Sequence, residues 1–160
     1  MSNEFNSPQL PAMGLVAGLE EDDRLFLSGY GDFLPVQEGQ VLIEEGNEQK
    51  ALYFVISGVL HVHTDKEDKR TLIARVQQGE SLGEINIFDP GTASATVTAQ
   101  SFSQVWKATR EDLEAFVEAY PEAGIKLLVA LVAELSRRIR HVNDKLVAVE
   151  VEHSYQNFWD

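Results

Sequence analysis

The stretch Ser81–Val97 reads "SLGEINIFDPGTASATV", and its order of residue types decides between the folds open to this chain. Gly83 and Glu84 come first, an apolar turn follows, Pro90-Gly91 breaks it, and small hydroxyl-bearing residues close it. A loop of this make-up brings backbone N–H groups against a small oxygen-rich ligand. Loops that hold phosphate ordinarily add a basic side chain. Between Ser81 and Val97 there is none.

The flanks of this loop are strand-like. From Phe33 to about Lys107 run "QVLIEEG", "ALYFVISG", "VLHVHT", "RTLIARVQQG", "SATVTAQS" and "SQVWKA". Short runs of β-branched and aromatic residues, punctuated by glycine, predict a mainly β chain folded as a sandwich, barrel or jelly roll. Ser57-Gly58 is read as a tight hairpin turn. Ahead of the strands, "LEEDDRLFLSGY" (Leu19–Tyr30) predicts a short helix with an acidic first turn and an apolar side at Leu25 and Leu27. Residues 1–18, polar at the start and holding Pro8 and Pro11, are expected to form a loose arm.

The last third predicts helices over about residues 110–149. "REDLEAFVEAYP" ends at Pro121, and a long helix follows with apolar residues at Ile125, Leu128, Val132, Leu135, Ile139, Val142, Leu146 and Val149. Steps alternating between three and four make a heptad seam, with Arg137, Arg138, Arg140 and Lys145 set between its members. Such a seam can pack on the chain's own barrel or on a second copy. Its length favours a two-stranded dimer helix, so a homodimer is expected. The tail over residues 150–160 carries Tyr155, Phe158 and Trp159, read as a docking element.

Composition narrows the function. The 160 residues suffice for one well-packed domain. No apolar run reaches the roughly 18 residues of a membrane span, and the first residues lack the order of a signal peptide. With no cysteine there is no disulfide and no thiolate chemistry, as fits a cytoplasmic protein. The net charge of −13 opposes binding to nucleic acid or anionic membrane. The acidity is concentrated at the front: residues 1–120 hold 8 basic and 20 acidic side chains, residues 121–160 hold 5 and 6.

His61 and His63 stand at i and i+2 on a predicted strand, with Glu67 four residues on. Imidazoles and a carboxylate on a barrel wall can hold iron, manganese or zinc. The set resembles the His-x-His…Glu pattern of the cupin family, which adds a histidine from a later strand. Here His141 lies in the helical segment and His153 in the tail. Leu60 and Val62 supply the apolar alternation, so the histidines are expected on the solvent side, and no metal is assigned. No nucleophile elbow or phosphate-binding Walker loop is present, and no catalytic residue is assigned: the protein is read as non-enzymatic.

The order of parts does resemble a family. A short N-terminal helix, "GNEQKALYFVISGVLHV", "GESLGEINIF", "SATV" and a long last helix are similar in sequence order to the cyclic-nucleotide-binding domain, an RmlC-like jelly roll. The likeness covers about residues 19–147. It implies a double-stranded β-helix barrel with flanking helices, in a regulatory domain whose last helix moves with ligand occupancy. It implies that Gly83 lets the backbone approach a sugar phosphate and that Glu84 accepts from a ribose hydroxyl. A short helix at Ile85–Phe88 would turn N–H groups toward the phosphate, and Ser94 and Ala95 would add further N–H groups.

Two positions depart from the family pattern. It places an arginine two residues before the alanine of Ala-Thr-Val, and that position is Ala93; Asn86 stands where alanine is usual. A charge-assisted pair with phosphate contributes roughly 1.5–3 kcal/mol. Four readings therefore stay open. The domain binds no nucleotide and acts by dimerisation and by docking on an output protein. It binds another small polar or anionic ligand through Glu84, Asn86, Ser94 and Thr96. It binds a cyclic nucleotide with Arg75 or Arg137 supplying the charge. Or it is a cupin-like metal enzyme. The first two together, a regulatory domain of altered ligand specificity, are the leading expectation. With about ten residues past the seam, no DNA-binding helix-turn-helix is expected.

Overall fold

The computed structural model of the protein describes residues 8–159, with side chains described as far as Glu152. The chain runs α1 (Glu21–Ser28), β1 (Asp32–Val36), β2 (Val41–Ile43), β3 (Glu48–Gln49), β4 (Ala51–Ser57), β5 (Val59–Lys66) and β6 (Lys69–Gln77). Then come β7 (Ser81–Leu82), α2 (Glu84–Phe88), β8 (Gly91–Thr92), β9 (Thr96–Ala99), β10 (Ser103–Thr109), α3 (Arg110–Ala119) and α4 (Pro121–Trp159). Two antiparallel sheets, ordered β1-β10-β4-β7 and β2-β9-β5-β6, face each other as the expected jelly roll, with β3-β8 as a small outlying pair.

The strand β4 shows why the run "ALYFV" is apolar without a break. Ala51, Tyr53 and Val55 face the interior of the roll with Leu60, Val97 and Val105. Leu52 and Phe54 face the other way, into a second core. That core holds Leu27 of α1, Trp106 and Ala108 of β10, Leu113 and Phe116 of α3, and Ala123, Leu127 and Leu131 of α4. A strand covered on both faces loses the usual alternation. The helices are thus a layer on the outside of one sheet. Two local signals start them. Thr109 and Asp112 form a reciprocal capping box on α3. Pro121 both ends α3 and opens α4, where a first-turn proline sacrifices no hydrogen bond.

Four expectations are corrected. The loose arm over residues 1–18 does not hold from Leu10 onward: Leu10, Leu15 and Val16 are buried in the helical core, and the Leu10 N–H donates to Ser28 Oγ at 2.9 Å. Residues 1–7 lie outside the described residues. Leu25 and Leu27 do not share a face of α1; Leu27 is buried and Leu25 is exposed, as i and i+2 on a helix must be. Ser57-Gly58 is a corner, not a hairpin, because β4 and β5 belong to different sheets. Gly58 has φ +91°, and a Cβ there would fall 2.1 Å from Ser103 Oγ, so only glycine lets the chain cross at this point. Finally, α4 continues past residue 149 through the segment read as a tail. The docking role given to Tyr155, Phe158 and Trp159 rests on side chains outside the described residues.

Candidate functional site: a cavity between the β-roll and helix α4

Glu84 is the anchor of the site. It opens α2 directly after Gly83, whose φ of +85° turns the chain out of β7. A Cβ on Gly83 would lie 2.3 Å from the Ala51 carbonyl oxygen, so glycine is required here. The turn drives the Glu84 carboxylate inward to 1% exposure. A carboxylate so placed must be compensated. Ser81 Oγ donates to its Oε1 at 2.5 Å, and Arg138 of α4 donates to its Oε2 at 2.6 Å. The same guanidinium donates to the Ser81 carbonyl at 2.5 Å and to Glu134 Oε1 at 3.2 Å. Glu134 also accepts from Arg137 at 2.6 Å, and that bond is the main cause holding its carboxyl below the usual 4.5, with the charges of both arginines assisting against burial.

This network closes one wall of a cavity of about 740 Å³, a volume within the range of small-molecule sites. Its floor is apolar, with Ile43, Val62, Val76, Leu82 and Val97. Gly83, Glu84, Ile85, Asn86, Ala93, Ser94 and Ala95 all line it, so one loop contributes seven of the eight predicted ligand-binding residues. Thr96 is the exception. It is absent from the lining, and its Oγ1 accepts from the Glu45 N–H at 3.1 Å. Opposite the loop, α4 brings Glu134, Arg137, Arg138, His141, Val142 and Lys145, and β6 brings Arg75. Four permanent cations thus meet three carboxylates (Glu80, Glu84, Glu134) around one cavity, in a chain of net charge −13.

The comparisons with known proteins decide the family. Residues 33–120 match the model of the cyclic nucleotide-binding domain. The chain belongs to the cyclic nucleotide-binding domain family. The domain is 31% identical over 97 residues to a lysophospholipase of Chaetomium globosum, 60% of this chain and 6% of that enzyme, so it spans a small fraction of that relative's length. Among solved structures it is similar to the N-terminal domain of a transcriptional regulator from Streptomyces coelicolor A3(2), with TM-score 0.68 and 29% identity over 82% of this chain and 90% of that one. It is also similar to the Thermus thermophilus catabolite activator protein, with TM-score 0.75 and 25% identity over 85% and 62% of the two chains. This is a regulatory, signal-transduction fold, and one of the relatives that carry a similar stretch is named as a lysophospholipase.

The two histidines sit differently in this cyclic nucleotide-binding domain from their expected solvent-side pair. His63 is 2% exposed, its Nε2 hydrogen-bonded to Thr98 Oγ1 at 2.9 Å and its Nδ1 3.6 Å from the Asp65 carboxylate. The register shift in the β5–β6 ladder leaves Ile73 of β6 unpaired, while β5 pairs with β9 without a break, so His61 and His63 keep to one face and His63 is covered there. His61 is half-buried; burial is the first cause, and Arg75 and His63 the next, of a pKa below its usual 6.5. Glu67, with φ +54°, forms with Asp68 the exposed turn of the β5–β6 hairpin. Among the described residues no cluster of three metal-ligating side chains exists. Also among them, no helix is long and apolar enough to cross a membrane.

Sequence reasoning named Arg75 and Arg137 as alternative sources of charge, and both line the cavity. It missed Glu134, Arg138, His141 and Lys145 as site residues. A signal was present: 134, 138, 141 and 145 step by 4, 3 and 4, a polar stripe one residue ahead of Leu135, Ile139, Val142 and Leu146.

Proposed function

We propose that the protein is a ligand-sensing regulatory domain whose cavity takes a small anionic ligand, with the counter-charge delivered by α4 and β6 in place of position 93. One observation carries this reading. Ala93 is buried and apolar where the family resemblance implies an arginine, while Arg75, Arg137, Arg138 and Lys145 converge on the same cavity from the opposite side. Arg75 and Lys145 have no ion pair among the described residues and are available to an anion. An anion held there bridges the roll and α4, so occupancy bears directly on where α4 sits.

The output of that movement is dimerisation through α4. Among the described residues, the large or apolar side chains of this helix buried in the core are Ala123, Leu127 and Leu131. Ile125, Val132, Ile139, Val142, Leu146 and Val149 are each at least half exposed, Leu128 is 37% exposed, and Leu135 is partly buried. A monomer has no use for such a stripe; a second copy of the same helix fits it.

A thermal-shift titration with cyclic AMP and cyclic GMP, beside a panel of anionic metabolites, tests the ligand. A ligand that binds only the folded state raises Tm by mass action. The expected result is a shift that is lost in a protein carrying Arg75→Gln and Lys145→Gln together. A shift that survives both changes would place the anion elsewhere. Silence across the whole panel would favour a module that acts by association alone.

A further inference from the structure

We infer that the hollow between α2, α3 and the first turns of α4 is a docking site for a basic amphipathic helix of an output protein, which anchors one large apolar side chain there. The inference depends neither on what the larger cavity binds nor on dimerisation.

The hollow is separate from the larger cavity. Ile85 and Asn86 of α2 line the larger one, Ile87 and Phe88 line this one, and the two share no residue. Its volume is about 250 Å³. Sites that enclose a whole small molecule run to roughly 300–1,000 Å³, so this one suits a single anchor side chain. The floor is apolar and buried: Ile87 of α2, Leu113 of α3, and Leu127 and Leu131 of α4. Phe88 and Leu128 also line it and are 48% and 37% exposed, so the apolar surface runs on past the hollow. A helix that lays one side chain in the hollow brings those at i+3 and i+4 onto such flanks.

Charge selects the partner. The charged side chains of the lining are Arg110, Glu114 and Glu118, and Asp89 follows Phe88 at the end of α2. Arg110 is already engaged: its Nε donates to Glu114 Oε1 at 2.8 Å. Glu118 and Asp89 are exposed and have no ion pair among the described residues. The free charge at the rim is therefore negative, in a chain of net charge −13. An anionic lipid surface is repelled by it, and so is the acidic front of a second copy. A segment with lysine or arginine flanking an apolar anchor is attracted, and the attraction also speeds its encounter.

The test uses the whole chain and two fluorescent synthetic peptides of one leucine and lysine composition. In one the leucines share a helical face; in the other their order is permuted so that no face forms. By anisotropy the first should bind at least about 10-fold tighter than the second. Phe88→Ala should weaken the first about 10-fold. Asp89→Asn with Glu118→Gln should weaken it about 3- to 10-fold at about 0.05 M salt, and the difference should close by about 0.5 M. Val41→Ala with Leu72→Ala removes side chains 51% and 52% exposed on the β2-β9-β5-β6 sheet, and should leave binding within about 2-fold. Should Phe88→Ala lower Tm, the exposed acid pair decides alone. Equal binding of the two peptides, no binding up to about 1 mM, or an equal loss in the sheet variant would overturn the inference. If Phe88→Ala turns a dimer into a monomer in sedimentation, a second copy fills the hollow, and the inference falls as well.

Discussion

At the scale of single residues, two positions of the loop do opposite things. Gly83 is there for the backbone: with φ +85° and a virtual Cβ 2.3 Å from the Ala51 oxygen, it cannot carry a side chain without strain. Gly83→Ala should destabilise the fold by about 1–3 kcal/mol, read as a fall of roughly 2–12 °C in Tm. Ala93 is there for what it lacks. It is 7% exposed and lines the cavity, so an arginine at this point has about 740 Å³ of space to extend into. Ala93→Arg should raise the affinity for cyclic AMP by about 10- to 150-fold, measured by calorimetry. No gain would mean that the loop no longer presents position 93 to a phosphate. Glu84 shows how far a sequence can be read. Its place in the cavity is what the family resemblance implies, but its partner 54 residues away is not, because no local rule ties a loop carboxylate to one of three neighbouring arginines.

At the scale of elements, strands and helices were legible wherever one rule governed them. Glycine spacing marked the strands, and Pro121 and the heptad spacing marked the helices. Legibility failed where two elements shared a residue. The corner at Gly58 looked like a hairpin because a change of sheet leaves the same local signature. His63 looked wet because alternation tells which face of the sheet a residue is on and not whether other side chains cover that face. Helix α4 carries two stripes, and the apolar one masked the polar one beside it. Its seam predicts a clear result for the proposed dimer: Ile139→Asp should turn dimer into monomer in sedimentation, since it would place a carboxylate on each of two facing helices. Ile139 is 62% exposed in the single chain, so the fold itself should change by no more than about 0.5 kcal/mol. The polar stripe predicts a pH effect. The Glu134 carboxyl is held below 4.5, chiefly by the Arg137 hydrogen bond. A depressed carboxyl contributes stability that is complete above its unfolded value and is lost as pH falls through its folded one. The Tm advantage of wild type over Glu134→Gln should therefore be full at about pH 7 and shrink toward about pH 3.5.

At the scale of the whole molecule, charge and the seam pull against each other. Each chain carries −13, and a dimer brings two such chains together. The charge lies mainly before residue 121; the segment that holds α4 has 5 basic and 6 acidic side chains and is nearly neutral. In the proposed dimer that distribution would let the seams meet while the rolls repel at longer range. The seam gains stability from apolar burial, which salt does not screen, whereas the repulsion acts across water and is screened within about 10 Å at 0.1 M salt and about 3 Å at 1 M. Ion pairs between α4 helices, from Arg140 or Lys145 to Asp144, would be weakened by the same salt. Exposed pairs contribute about 0–1 kcal/mol each, less than the burial of the eight seam side chains at about 0.8 kcal/mol for each methylene. Repulsion and burial should then set the balance, and the dimer should tighten as sodium chloride rises from about 0.05 M to about 1 M, as read by the dissociation constant in sedimentation equilibrium. A dimer that loosens with salt would place cross-helix ion pairs, not the apolar stripe, in control of assembly.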